Sequence, residues 1–123
     1  MKKARLLVVD DEENIRFLFK EELEEEGYSV DVASNGLEAL DKIKQAVFDL
    51  VILDIKMPGM NGIEALNEIK NTNKNLPVIL CSAYGEFKQD FSSWASDGYV
   101  VKSADTKELK QTIKDLLSVA KPL

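Results

Sequence analysis

No histidine occurs anywhere in the 123 residues, and there is a single cysteine, Cys81. The first absence removes Ser-His-Asp catalysis, histidine zinc sites and any phosphohistidine role within the chain. The second excludes an internal disulfide and a multi-cysteine metal site, and leaves Cys81 as a small buried apolar residue. Long hydrophobic runs are missing too: nothing approaches the roughly 20 residues of a membrane-spanning helix. The apolar stretch behind the N-terminal lysines is only Leu6 to Val9, too short for a signal-peptide core, so a cytoplasmic protein with no membrane partner is expected. Cations are outnumbered, with 16 Lys and Arg against 22 Asp and Glu and a net charge of −6. A nucleic-acid footprint is normally basic, so no direct nucleic-acid binding is expected. Part of the acid excess is local, at Glu21, Glu22 and Glu24 to Glu26, and reads first as a solvated helix face. What is present, 45% hydrophobic and 31% charged residues, fits one soluble domain spanning 1–123.

The hydrophobic periods alternate between strand and helix. Arg5 to Val9 is a short strand ending at Asp10-Asp11. Ile15, Leu18, Phe19 and Leu23 then follow a helical rhythm that Gly27 stops. Val30 and Val32 alternate with polar neighbours as a second strand. Asn35 reads as an N-cap with Glu38 as its capping-box partner, and Leu37, Leu40, Ile43 and Val47 as the buried stripe of that helix. Leu50 to Leu53 is a strand buried on both faces, and it runs straight into Asp54. Ile63, Leu66 and Ile69 mark a third helix, and Val78 to Cys81 a fourth strand. Phe87, Phe91 and Trp94 fall at helical spacing on a short fourth helix, as core or a partly exposed patch rather than a base-stacking surface. Tyr99 to Val101 is the fifth strand. Asp105 and Glu108 read as cap and box of a last helix that buries Leu109, Ile113, Leu116 and Leu117. Strand-helix repeated in this way predicts an α/β fold: a doubly wound, five-stranded parallel sheet in the order 2-1-3-4-5, a flavodoxin-like three-layer α/β/α sandwich.

In such a sheet the residues that follow each strand share one edge, where ligands bind. Strand one delivers Asp10 and Asp11, strand three Asp54, strand four Ser82 and strand five Lys102. A carboxylate at the head of a buried strand needs compensation, and three so close cannot all ionise without a cation. Lys102 supplies one charge; a Mg²⁺ ion, which takes carboxylate, carbonyl and water oxygens, balances the rest. That arrangement suits phosphoryl transfer, where positioning and charge compensation do most of the chemistry. With no histidine and no activated serine pair, the nucleophile expected is a carboxylate, and Asp54 stands alone on the central strand. Taken singly, each residue has a bland reading: Asp11 as a helix cap, Ser82 as a satisfied loop hydroxyl, Lys102 as an exposed lysine. Their coincidence at four strand ends carries the functional one.

The segments Val8-Val9-Asp10-Asp11-Glu12, Ile52 to Gly62, Ser82-Ala83 and Tyr99-Val100-Val101-Lys102 closely resemble the receiver domains of two-component response regulators, and the resemblance runs over essentially the whole chain. It implies that Asp54 accepts a phosphoryl group from a histidine kinase or phosphotransfer protein. It also implies that Asp11, Asp54 and the backbone carbonyl of Lys56 coordinate Mg²⁺, with Asp10 acting through water. Ser82 and Lys102 would bind phosphoryl oxygens, Ala83 would keep the entrance open, and Tyr99 would turn inward as Ser82 moves. The face of the fourth helix, fifth strand and last helix would then control an output protein or output domain. Two departures stand out. Ser103 replaces the proline usual after the lysine, which commonly carries a cis bond. The segment between Ser82 and Lys102 is also compact. Lys56 and Tyr84, each two residues past a site residue, are expected to flank the phosphoryl group and hinder water. The chain ends soon after its last helix, so a stand-alone receiver or a piece of a longer regulator is expected, acting by binding rather than as an enzyme. The alternative is a Mg²⁺-dependent phosphohydrolase working through an aspartyl phosphate, although its usual second acid would fall at Lys56. A flavodoxin-like cofactor carrier is disfavoured because Asp10 to Glu13 would repel a phosphate.

Overall fold

The computed structural model describes residues 3–57, 59–83, 97–103 and 105–119. Its elements are β1 (Arg5–Val9), α1 (Glu13–Glu25), β2 (Ser29–Ala33), α2 (Gly36–Gln45), β3 (Leu50–Asp54), α3 (Gly62–Thr72), β4 (Val78–Ser82), β5 (Gly98–Val101) and α4 (Lys107–Val119). The helix expected around Phe87, Phe91 and Trp94 lies outside the described residues, as do Pro58 and Tyr84. All strand pairings are parallel, in the order β2-β1-β3-β4-β5. Every residue of β3 and β4 is buried, as continuous apolar runs require of strands covered on both faces.

Alternation along the strands splits the core in two. Leu6, Val8, Ile52, Ile79 and Cys81 point to the side covered by Phe19 and Leu23 of α1 and by Leu109 and Ile113 of α4. Leu7, Val9, Leu53 and Leu80 point the other way, against Ala39 of α2 and Ala65, Leu66 and Ile69 of α3. Each fully buried leucine or isoleucine contributes roughly 2 kcal/mol of transfer free energy, so the two layers lock the sheet between the helices. Burial also pushes the Cys81 thiol up to about 12, consistent with an inert packing residue.

Local expectations hold at the helix ends, with corrections. Gly27 follows α1 with a positive φ of 99°, the left-handed conformation a helix-ending glycine supplies. Asn35 caps α2 by accepting the Glu38 N–H, but the Glu38 carboxylate reaches past it to the amide and hydroxyl of Ser34, so the reciprocal box does not form. The box does form at α3, between Asn61 and Glu64. The expected stripe on α2 is wrong at both ends: Leu37 is 64% and Val47 84% exposed, because the helix buries Gly36 and Ala39 instead and ends before Val47. At the last helix, Asp105 sits one position earlier than a cap. Thr106 directly precedes the helix, while the Asp105 carboxylate accepts the Lys107 N–H at 3.0 Å. No cis peptide bond occurs among the described residues. Where a proline was expected, the Ser103 hydroxyl accepts the Asp105 N–H and so shapes the turn by a side-chain hydrogen bond.

Candidate phosphoryl-transfer site

The strand register carries the chemistry to one edge. Val9 pairs with Leu53 and Asp54 with Cys81, so the residues that end β1, β3 and β4 lie side by side. Asp10, Asp54 and Ser82 are buried there, while Asp11, Glu12 and Lys56 are exposed. Asp11, Glu12, Asp54, Lys56, Ser82, Ala83 and Lys102 line a cleft of about 240 Å³. A larger groove of about 500 Å³ lies at the opposite edge of the sheet, between the loops that precede β3 and β4, but among the described residues no cluster of acids, histidines or cysteines lies on it.

Lys102 reaches across the site. Its ammonium lies 2.8 Å from Asp10 Oδ2, 3.3 Å from Asp54 Oδ1 and 3.5 Å from Glu12 Oε1. Burial alone would lower its pKa, but the Asp10 and Asp54 carboxylates outweigh that and hold it above the usual lysine range. The backbone N–H of Lys102 donates to the Ser82 carbonyl at 2.6 Å, joining the ends of β4 and β5 directly behind the cleft. Tyr99, half-buried on β5, packs against the α2-α3 side of the core.

Asp10 has both carboxylate oxygens engaged: Oδ1 accepts the Glu12 N–H at 2.9 Å, and Oδ2 takes Lys102. Asp11 does not cap α1. The residue directly before that helix is Glu12, which makes no side-chain cap bond. Asp54 is the perturbed group: burial first, then the nearby charge of Asp10, push its carboxyl up to about 7 against the pull of Lys102.

A divalent cation fits this set. Carboxylate oxygens of Asp10, Asp11 and Glu12 lie within 4.8 Å of one another, and Asp54 adds a fourth acid against the single ammonium of Lys102. The donors are hard oxygens, which suits Mg²⁺ and not a soft metal. Glu12 is an addition that sequence reasoning passed over; its signal was the third consecutive acid after β1.

A family model for the response regulator receiver domain matches residues 6–114. The chain belongs to the response regulator receiver domain family. It is 39% identical over 119 residues to sporulation initiation phosphotransferase F of Bacillus subtilis, covering 95% of this chain and 96% of that relative. Its receiver sequence is also 41% identical over 118 residues to the transcriptional regulatory protein ResD of the same organism, covering 94% of this chain but 48% of ResD. Among solved structures, response regulator protein TrrA from Thermotoga maritima in complex with Mg²⁺-BeF superposes with a TM-score of 0.87 at 55% identity, covering 92% of this receiver and 98% of TrrA. TrrA in complex with histidine kinase ThkA gives 0.86 at 55% identity, covering 93% and 98%. No described helix is long and apolar enough to cross a membrane.

Proposed function

We propose that this receiver is a two-component signalling module that takes a phosphoryl group onto Asp54 from a phosphohistidine on a histidine kinase or phosphotransfer protein, and acts by binding rather than turnover. The observation that carries the reading is convergence: Asp10, Asp54, Ser82 and Lys102, from four strand ends, meet at one cleft where acids outnumber cations. An Asp54 carboxylate oxygen attacks phosphorus in line, the phosphorus–nitrogen bond breaks, and the leaving imidazole takes up a proton. Mg²⁺, when bound, supplies charge neutralisation of the phosphoryl oxygens. Asp11, Asp54 and the Lys56 carbonyl would hold it, with Asp10 contributing through water, since both Asp10 oxygens already have partners. The TrrA complexes with Mg²⁺-BeF and with a histidine kinase support this assignment.

The phosphoryl charge competes for Lys102, which leaves Asp54 and Asp10 for it. Ser82 closes on another oxygen, and Tyr99 follows inward. Because Lys102 is bonded to Ser82 through the backbone, that rearrangement reaches β4 and β5 together. It biases the face of β5 and α4 toward a second arrangement, to the extent that the phosphoryl group contacts the two states differently. The setting proposed is cytoplasmic, with an output protein or output domain as the reader.

The test is intact mass after incubation with Mg²⁺ and a small-molecule phosphodonor. One phosphoryl adduct that vanishes in Asp54→Ala is expected. Continuous phosphate release with no adduct would instead make the protein a hydrolase. A second prediction concerns lifetime. Lys56 lines the cleft, and Tyr84 lies outside the described residues. Changing both to alanine should speed phosphate loss from the adduct, by admitting water; an unchanged decay rate would contradict that role.

A further inference from the structure

We infer that Arg16, on α1, is a positioning residue of the phosphoryl-transfer site, fixing the segment that carries Asp10, Asp11 and Glu12. The inference deepens the receiver reading and rests on it. Three acids in a row, with carboxylate oxygens within 4.8 Å of one another, tend to spread apart through repulsion. A loop of that kind keeps its shape only if its backbone is held. It is held at both ends, by the Arg16 side chain at one and by the first backbone turn of α1 at the other. The Arg16 guanidinium Nη1 donates to the Asp10 carbonyl at 2.8 Å, and the Arg16 backbone N–H donates to the Glu12 carbonyl at 3.1 Å. Asp11, between those two carbonyls, is therefore presented from a peptide pinned on either side. The Asp10 N–H adds a third tie, to Ala33 of β2 at 3.1 Å.

The charge of Glu38 also acts on the guanidinium from the α2 side, at longer range. Glu38 is held below its ordinary pKa by the Ser34 amide and then the Ser34 hydroxyl, with the charges of Lys42 and Arg16 adding to that. Arg16 thus lies between the end of β1 and the loop leading into α2. A cation near the N-terminal end of a helix is disfavoured by the helix dipole, so its place there needs a local reason, and the Asp10 carbonyl with the acids around it supplies one. An arginine suits this better than a lysine because its planar fork holds a fixed direction while the stem stays half-buried.

Charge and positioning predict opposite signs, which makes the inference testable. If Arg16 acted only through its charge, removing it would tighten Mg²⁺ binding, since it repels a divalent ion. If it positions the acidic segment, removing it weakens binding. Calorimetric Mg²⁺ titrations of the full chain should show Arg16→Met, which keeps an unbranched stem without donor or charge, weakened about tenfold, the scale of lost outer-shell support. Arg16→Lys, whose ammonium can still donate to the Asp10 carbonyl but without the fixed direction of the fork, should be weakened less. Amide exchange at Glu12 in the metal-free protein should quicken in Arg16→Met, because its bond to Asp10 Oδ1 loosens with the segment. Unchanged or tighter Mg²⁺ binding in Arg16→Met would overturn the inference. So would a lowered melting temperature with Glu12 exchange and Mg²⁺ affinity both intact, since that marks a purely structural residue. A wild-type chain that bound no Mg²⁺ would count against the receiver reading itself, and Glu12 exchange, read without metal, would still decide the role of Arg16.

Discussion

Asp54→Asn is expected to stabilise the metal-free protein, and the gain should grow with pH. Asp54 is 4% exposed, faces Asp10, and has its carboxyl pushed up to about 7 in the fold. An unfolded aspartate titrates near 4. Below both values the folded and unfolded chains each keep the proton, and ionisation costs the fold nothing. Between about pH 4 and 7 the unfolded chain gives up a proton that the fold retains, so stability falls as pH rises; above about 7 the loss is complete. The gap corresponds to roughly 4 kcal/mol at most, and solvent reaching the cleft reduces it, so a difference of about 2 to 4 kcal/mol between wild type and Asp54→Asn at pH 8 is expected. Urea unfolding of both proteins across pH 4 to 8 without metal measures it. A wild type that kept pace with Asp54→Asn over the whole range would show that Asp54 is not held against its own charge. Mg²⁺ should close most of that gap: at a hundred times its dissociation constant it adds about 3 kcal/mol to the wild type, and much less to a variant missing one carboxylate. The same instability that drives Asp54 to hold a proton makes the site receptive to cations, and an incoming phosphoryl group arrives where positive charge has been gathered.

The parts of this fold that could be read in advance are those governed by short-range rules. The five strands were visible as apolar runs, because a strand buried on both faces leaves little room for a polar residue. β3 shows this best: Leu50 to Leu53 could be read as buried, and Asp54 stood out as the residue that broke the run. The parallel order followed from the alternation of strand and helix, and with the order came the site, since it places the ends of β1 and β3 next to each other. Asp10, Asp11, Asp54, Ser82 and Lys102 are brought to one edge of the sheet, as their positions after the strands implied, and all but Asp10 line the cleft, together with Lys56, which only the family resemblance had pointed to.

What escaped depended on distances between elements. Leu37 and Val47 have the right residue type for the buried stripe of α2, but the inner face runs through Gly36, which lies against Met60, and Ala39, and the helix ends before Val47. The Glu38 carboxylate was one residue away from its predicted partner, choosing Ser34 over Asn35, a decision made by the local path of the loop rather than by residue type. Arg16 carried no motif at all. Its link to Asp10 spans six residues, neither a helix nor a strand period, and exists only because α1 starts close enough for its side chain to fold back.

Gly62→Ala should combine a large stability loss with a collapse of the phosphoryl-transfer rate. A helix-start alanine is ordinarily harmless or mildly favourable, worth up to about 1 kcal/mol over glycine in a helix interior. Here the added methyl carbon would overlap the carbonyl oxygen of Asp54 and come within 2.7 Å of Ile55 Cα. Those neighbours are backbone and cannot rotate away. The Gly62 N–H also donates to the Ile55 carbonyl at 2.8 Å, and the Asn61-Glu64 box fixes the start of α3, so the helix cannot easily retreat. Overpacking of this kind costs up to about 3 kcal/mol, well above the propensity gain, and the strain relaxes into the peptide that carries Asp54. A misplacement near 1 Å at a reacting group can cost about a hundredfold in rate, so phosphorylation by a small-molecule donor should slow by that order even where the variant remains folded. Gly59→Ala is the control. Gly59 has a φ of 76° and nothing within 4 Å of an added methyl, so it should lose only the roughly 1 to 2 kcal/mol of a left-handed non-glycine residue. Thermal unfolding and adduct formation rates of both variants, side by side, separate strain in the turn from strain against Asp54. Equal effects would mean that the close approach of α3 to the end of β3 does not hold Asp54 in place.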